Sequence, residues 1–254
     1  MVTATFRFHH ELNDFLLPQR REREFNLACA HHATTKHMIE ALGVPHTEVG
    51  LITVQGQEAG LDQLLRDGDH VAVYPHGGLP DAMPASRLPA WPQAQKRFIA
   101  DAHLGGLARL LRMAGFDTLY RNDLQDREIA DLALRAQRIV LTRDRDLLML
   151  RDISHGCYVH ALKPTQQFVE IMARLALANS THPFSRCLEC NAPLQPIAKA
   201  QVLPRLPPIV QSGQQHFTHC TQCDRVYWQG SHWKRMQDLL DTAIRQGHRQ
   251  TLRF

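Results

Sequence analysis

Long apolar stretches are missing from this chain. None reaches the ~18 residues that a membrane-spanning helix needs, so no transmembrane segment is expected. The opening residues, from Met1 to Arg7, hold no charged segment followed by an apolar one. No signal peptide is therefore expected, and a cytoplasmic setting follows. Charge is not in excess, at 21% against 44% apolar residues, which excludes a disordered chain. Cysteine is scarce outside one region: four of the six form two Cys-x-x-Cys pairs, while Cys29 and Cys157 stand alone. In a reducing compartment that spacing favours metal ligands over disulfides. No Ser/His/Asp arrangement for nucleophilic catalysis is evident. The 254 residues suffice for two or three domains.

Charge is unevenly spread. Residues 1–92 carry 7 Lys and Arg against 11 Asp and Glu, residues 93–184 carry 13 against 10, and residues 185–254 carry 9 against 4. An acidic head on a basic remainder fits a polyanion-binding body with an appendage, and ordinary surface scatter fits as well.

Residues 1–80 read as one small domain. Thr3–Phe8 and Arg23–Cys29 alternate as strands of a hairpin. Thr34 and Thr35 cap a helix over Lys36–Leu42, which Gly43 ends. Val49–Val54 is a third strand, Leu61–Leu65 a helical turn, and His70–Tyr74 the last strand, closed by Pro75. This β-β-α-β-β order, with Asp67-Gly-Asp69 before the final strand, resembles a ubiquitin-like β-grasp of the small sulfur-carrier type. Gly77-Gly78 follows the last strand, but the chain continues, and a carboxylate inside a peptide bond cannot be activated. A docking or regulatory module that meets a protein partner is the alternative to a carrier. His9-His10 and His31-His32 read as loop or cap residues. Residues 81–95, rich in proline, read as a linker that includes Trp91.

Residues 96–182 show strands that end in carboxylates, separated by helices. That order predicts a parallel sheet with acids at its carboxyl edge, where open α/β sheets place their sites. Phe98–Ala100 stops at Asp101. Leu104, Leu107, Ala108, Leu111 and Ala114 recur at helical spacing. Asp117–Tyr120 is a short strand, and a helix over 125–136 opens near Asp126 with Ile129, Leu132 and Ala133 inward. Ile139–Thr142 stops at Arg143-Asp144-Arg145-Asp146. Cys157–Leu162 is a fourth strand, and Pro164 opens a helix to about Ala178.

Phe98-Ile-Ala-Asp101, Asp126-Arg-Glu-Ile129 and Leu141-Thr-Arg-Asp144-Arg-Asp146 together resemble the acidic pattern of PIN-like nucleases. His103-Leu-Gly-Gly-Leu-Ala-Arg109, continuing through Arg112 to Asp117, is similar to the branch named for the C-terminal region of the Mut-seven exonuclease. That branch carries a β-grasp domain in front and a zinc ribbon behind. The resemblance implies a metal-dependent nuclease acting on RNA, single-stranded by preference. It implies Asp101 and Asp144 as ligands of Mg²⁺ or Mn²⁺, with Asp126 and Asp146 binding directly or through water. Two or three carboxylates can hold a divalent cation that lowers the pKa of water and neutralises developing charge. Asp123 and Glu128 are reserves, and His103 is a candidate for proton transfer. Each acid has a structural alternative: Asp126 as an N-cap, Glu128 answering the helix dipole, Asp144 capping its turn. If those alternatives hold throughout, the protein is a non-catalytic RNA-binding or adaptor protein. Arg109, Arg112, Arg143 and Arg145 are candidate phosphate contacts or partners of the same acids.

Residues 183–254 hold Cys187-Leu-Glu-Cys190 and Cys220-Thr-Gln-Cys223, two pairs that can close on one tetrahedral Zn²⁺ as in zinc ribbons. Four thiolates leave no open position, so this zinc is structural. Asn191 and Asp224 resemble the turn residue after a zinc knuckle. His216, His219 and His232 are substitute ligands, and Val202–Pro208 reads as a loop. Tyr227, Trp228 and Trp233, next to Lys234 and Arg235, suit stacking on bases and gripping phosphates, or the small core of the ribbon. Met236–Gln246 reads as an amphipathic helix.

Overall fold

The computed structural model describes residues 1–76, 88 and 96–251. Gly77, Gly78, most of the proline-rich linker with Trp91, and the side chains of His232 and of residues 247–251 lie outside what is described. In chain order the first elements are β1 (Val2–Phe8), β2 (Phe25–Cys29), α1 (Thr35–Ala41), β3 (Val49–Val54), β4 (Gln57–Ala59) and β5 (His70–Pro75). The middle holds β6 (Phe98–Ala100), α2 (Gly105–Met113), β7 (Thr118–Tyr120), α3 (Asp126–Ala136), β8 (Ile139–Thr142), α4 (Arg145–Met149), β9 (Gly156–Tyr158) and α5 (Pro164–Arg174). The last part holds β10 (Leu194–Ile197), α6 (Lys199–Val202), α7 (Pro208–Gly213), β11 (Phe217–Cys220), β12 (Val226–Trp228) and α8 (Ser231–Thr251). The elements gather into two compact units, residues 1–95 with 125–158, and residues 96–124 with 159–253.

The first unit contains a five-stranded sheet in the order β2-β1-β5-β3-β4, with β1 and β5 parallel and the other neighbours antiparallel. Alternation puts Ala4, Phe6 and Phe8 of β1 inward, where the rings of Phe6, Phe8 and Phe25 stack at 6.3–6.4 Å. Met38 and Ile39 of α1 seal that core. The Thr34 hydroxyl accepts the N–H of His37 as the N-cap of α1, and Gly43, at φ +88°, ends that segment in the left-handed region open to glycine. Residues 61–65 are not helical: Leu64 bridges Thr34 instead, and β4 is a strand the alternation did not reveal. The same unit holds the parallel pair β8–β9 with α3 and α4. All four residues of β8 are buried.

In the second unit β6 and β7 pair in parallel, and α2 buries Leu107, Ala108 and Leu111 as its spacing dictates. Two glycines here are needed for close approach. A Cβ on Gly105 would meet the ring of Tyr120 at 2.7 Å, and one on Gly106 would meet Pro164 at 2.6 Å. The Gly-Gly of the His103–Arg109 segment therefore lets β7 and α5 close on α2. A three-stranded antiparallel sheet, β10-β11-β12, follows, and α8 runs from Ser231, earlier than its amphipathic pattern indicates. The segment 202–208 is not a plain loop. α6, a 3-10 turn at Leu203–Arg205 and α7 shape it, because Val202 and Leu206 bury against Phe217. Among the described residues no helix is long and apolar enough to cross a membrane.

Candidate functional site

The four thiols meet at the base of the ribbon. The sulfurs of Cys187, Cys190, Cys220 and Cys223 all lie within 4.8 Å of one another, with Cys187–Cys223 at 3.4 Å and Cys190–Cys220 at 3.3 Å. Sulfurs 2.3 Å from a tetrahedral zinc stand about 3.8 Å apart, so the set fits Zn²⁺ in size and in donor chemistry. Each knuckle turns through a left-handed residue, Asn191 at φ 69° and Asp224 at φ 55°. The amide of each reaches back to the carbonyl of the first cysteine of its pair, Asn191 to Cys187 and Asp224 to Cys220. Asn and Asp tolerate that conformation better than other side chains, which explains their identity.

The thiols are not electrostatically alike. Burial pushes Cys187 up, but N–H groups of Cys190 and Glu189 and the Tyr227 hydroxyl outweigh it and bring it down to about 6. Burial raises Cys190 to about 12 and also raises Cys223, the divergence expected of crowded thiols. Tyr227 Oη lies 3.1 Å from Cys187 Sγ and accepts the Leu188 N–H at 3.2 Å. Tyr227 and Trp228 thus serve the ribbon core, Trp228 packing on the Phe217 cluster. Trp233 packs on Phe184 at 4.9 Å, and Lys234 and Arg235 stay exposed on α8. His216 is exposed, and His219 lies outside the cysteine cluster with its Nδ1 buried.

The knuckle is tied into the second unit by side chains. Arg112, 4% exposed, donates Nε–H to the Thr118 carbonyl at 2.9 Å and Nη1–H to the carbonyls of Leu188 at 3.1 Å and Glu189 at 2.6 Å. A guanidinium so enclosed is a structural strut and cannot reach a phosphate, which corrects its assignment as a backbone contact. Its position four residues after Ala108 put it at the rim of the apolar face, the one sign of burial in the sequence. Asn191 accepts the Thr118 N–H at 3.0 Å and donates to Asp117 Oδ1 at 2.7 Å. Arg109 remains exposed and pairs with Glu189 at 2.7 Å.

The aspartates occupy turns. Asp101 ends β6, half-buried, and its Oδ1 accepts the Ala102 N–H at 2.5 Å. Asp144, exposed after β8, is the N-cap of α4: its Oδ1 accepts the N–H of Asp146 at 2.8 Å and of Leu147 at 3.4 Å. Asp146 is exposed on the first turn of that helix. Asp126 is the first residue of α3, not its cap. Gln125 is the N-cap, in a capping box with Glu128, whose Oε2 accepts the Gln125 N–H at 3.0 Å. That commits Glu128 to the helix end. Asp123 is bound by Arg121 at 2.9 and 3.0 Å, and this bond holds its carboxyl below the usual range. His103 is exposed. Arg145 donates to the Phe15 carbonyl at 3.1 Å and lies over the rings of Phe15 and Tyr158. Arg143 is half-buried with partners of its own. Among the described residues the four cysteines are the one group of three or more His, Cys, Asp or Glu side chains close enough to hold an ion. No three of the carboxylates of Asp101, Asp126, Asp144 and Asp146 gather in such a group among the described residues, and each is the hard oxygen donor that Mg²⁺ and Mn²⁺ take.

A β-grasp head, parallel strand pairs followed by aspartates, and a four-cysteine ribbon define a PIN-like chain with two appended modules. A family model described as the Mut7-C RNAse domain matches residues 96–240, and one described as Mut7-C ubiquitin matches residues 1–78. The chain belongs to the Mut7-C RNAse domain family. No curated protein matches it. Among solved structures it is similar to small archaeal modifier protein 1 of H. volcanii at 16% identity, covering 30% of this chain and 98% of that one, with a TM-score of 0.25. A putative molybdopterin converting factor, subunit 1, from Pyrococcus furiosus is 17% identical, with 30% and 98% covered and a TM-score of 0.24.

Proposed function

We propose that the protein is a metal-dependent ribonuclease that hydrolyses phosphodiester bonds of single-stranded RNA. In this reading a β-grasp domain over 1–80, a nuclease domain over 96–182 and a zinc ribbon over 183–254 act together. The match of residues 96–240 to the RNAse family carries it. Asp101 and Asp144 would hold Mg²⁺ or Mn²⁺, with Asp126 and Asp146 beside them in the chain pattern. The cation, when bound, supplies a water of lowered pKa and offsets charge on the phosphate. Asp101 and Asp144 keep one carboxylate oxygen fixed by a backbone N–H, so that neither swings away when a substrate arrives. Lys234 and Arg235 on α8, and Arg109, offer cations to the RNA backbone. The ribbon zinc would be structural, held by Cys187, Cys190, Cys220 and Cys223.

One observation favours the second reading, a non-catalytic RNA-binding protein: Asp101 and Asp144 both cap turns, a sufficient structural reason for a carboxylate. Incubating the protein with end-labelled single-stranded RNA in Mn²⁺, Mg²⁺ or EDTA separates the two. Cleavage that needs the cation and is lost in Asp144→Asn supports the nuclease. RNA binding with no cleavage under any cation would leave only the binding protein.

A further inference from the structure

The sequence offers Arg145 as a phosphate contact or as a partner of the neighbouring acids. The structure gives it other work. Its Nη1–H bonds the carbonyl of Phe15, and its guanidinium carbon stands 5.1 Å from the centre of the Phe15 ring and 6.0 Å from that of Tyr158. Those two rings meet edge to face at 5.2 Å, forming the slot that holds the guanidinium. Phe15 belongs to the β-grasp head, in a 3-10 turn over His10–Phe15, and Arg145 directly follows Asp144.

A second group of contacts in the same unit fixes the slot. The head's 3-10 turn at His46–Glu48 is buried although every side chain in it is polar. Glu48, fully buried, accepts the Tyr158 N–H of β9 at 2.6 Å. His46 bridges Glu40 Oε1 at 2.8 Å and the Ile153 carbonyl at 3.0 Å. Buried polar groups with specific partners fix one arrangement at the expense of alternatives. A head that merely hung from a linker would leave Pro45–Glu48 in water.

We propose that Arg145 is a positioning residue: the head grips it through Phe15 and thereby sets the turn that presents Asp144 and Asp146. The head is then a working part of the nuclease site rather than a carrier. The proposal rests on the metal role given to Asp144 above. The physical case is the shortness of the turn. Asp144 Oδ1 is fixed by the amides of Asp146 and Leu147, so any swing of the Arg145 backbone moves the carboxylate with it.

The test uses the full chain with Arg145→Gln, Phe15→Leu and the double variant. Mn²⁺ affinity is read from the spectrum of the free ion, and kcat and KM from RNA hydrolysis. Leucine keeps an apolar side chain in the place of Phe15 and removes the ring face at the cost of a small void, and circular dichroism checks that the variant folds. Each single variant is expected to weaken Mn²⁺ binding about tenfold, as losses of groups that orient metal ligands do. kcat should fall while KM holds, and the double variant should be no worse than either single one. If instead Arg145→Gln raises KM with Mn²⁺ affinity intact and Phe15→Leu is silent, Arg145 touches RNA directly and the proposal fails. Asp144→Asn in parallel separates the levels. If it abolishes Mn²⁺ binding while the head variants do not weaken it, the positioning role alone is overturned. If the wild type binds no Mn²⁺, the nuclease reading falls and takes the proposal with it.

Discussion

Asn191 and Thr118 are joined by one hydrogen bond, the Asn191 side-chain oxygen accepting the Thr118 amide at 3.0 Å, and through it the first cysteine knuckle holds the start of β7. The Thr118 carbonyl is held in turn by Arg112. β7 pairs with β6, whose end carries Asp101, and the Phe98 amide bonds the Asp117 carbonyl at 2.8 Å. The cysteine cluster is thus joined to a candidate ligand by these hydrogen bonds and the length of β6.

Freshly purified, reduced protein should hold about one zinc per chain. Cys190→Ser should release it and loosen the ribbon while the head stays folded. Elemental analysis that finds no zinc would remove the ribbon assignment.

Arg112→Met should destabilise the fold by about 3 kcal/mol, because three carbonyls, two of them in buried bonds, lose their donor. Arg112→Lys should rescue little, since one ammonium cannot reproduce the fork. Urea denaturation would decide, and a loss under about 1 kcal/mol would show the strut to be dispensable.

Asp144→Asn and Asp144→Ala should differ. Asparagine caps a helix as well as aspartate does, so Asn should keep stability, whereas Ala should cost about 1 kcal/mol. Both should cut hydrolysis by orders of magnitude if the charge is what holds the cation. Equal and full activity in both would place the active site elsewhere.

RNA affinity should fall steeply with salt, and Lys234→Ala or Arg235→Ala should each lower the slope of log affinity against log salt by about one if it contacts a phosphate. Filter binding at several salt concentrations measures this. A flat response would exclude a phosphate-led interface.

Burial holds the pKa of His155 below its usual 6.5, and its Nδ1 is buried with no hydrogen-bond partner among the described residues. The folded state therefore prefers the neutral ring, while the unfolded chain takes up a proton near pH 6.5. Stability from this residue is full above that pH and declines as pH falls toward the lower folded value. His155→Leu should flatten the acid limb of a melting-temperature profile. An unchanged limb would show that other groups, such as His9, dominate it.

Sequence patterning was strongest where one physical rule acts alone. The strands of the head, the inward face of α2 and the knuckle residues Asn191 and Asp224 follow from alternation, helical period and left-handed turns. Patterning failed where a partner lies far along the chain. Nothing near Glu48 signals that it bonds residue 158, and nothing near Arg112 signals carbonyls at 188 and 189. α4 escaped notice because five residues after a charged turn carry too little period. Helix capping at Asp144 was among the alternatives for that residue and is what the turn shows.

The buried His46–Glu48 turn bears on how the protein can be dissected. The proline-rich composition near residue 90 makes it a natural place to begin a cloned fragment. A fragment beginning there would lose the acceptor for the Tyr158 amide and the slot for Arg145. It would carry a strand edge with an unanswered N–H into solvent, the sort of surface that recruits neighbouring chains. Such a fragment should precipitate or pair with itself, so an inactive truncated nuclease would report on the damaged edge, not on the catalytic worth of what remained.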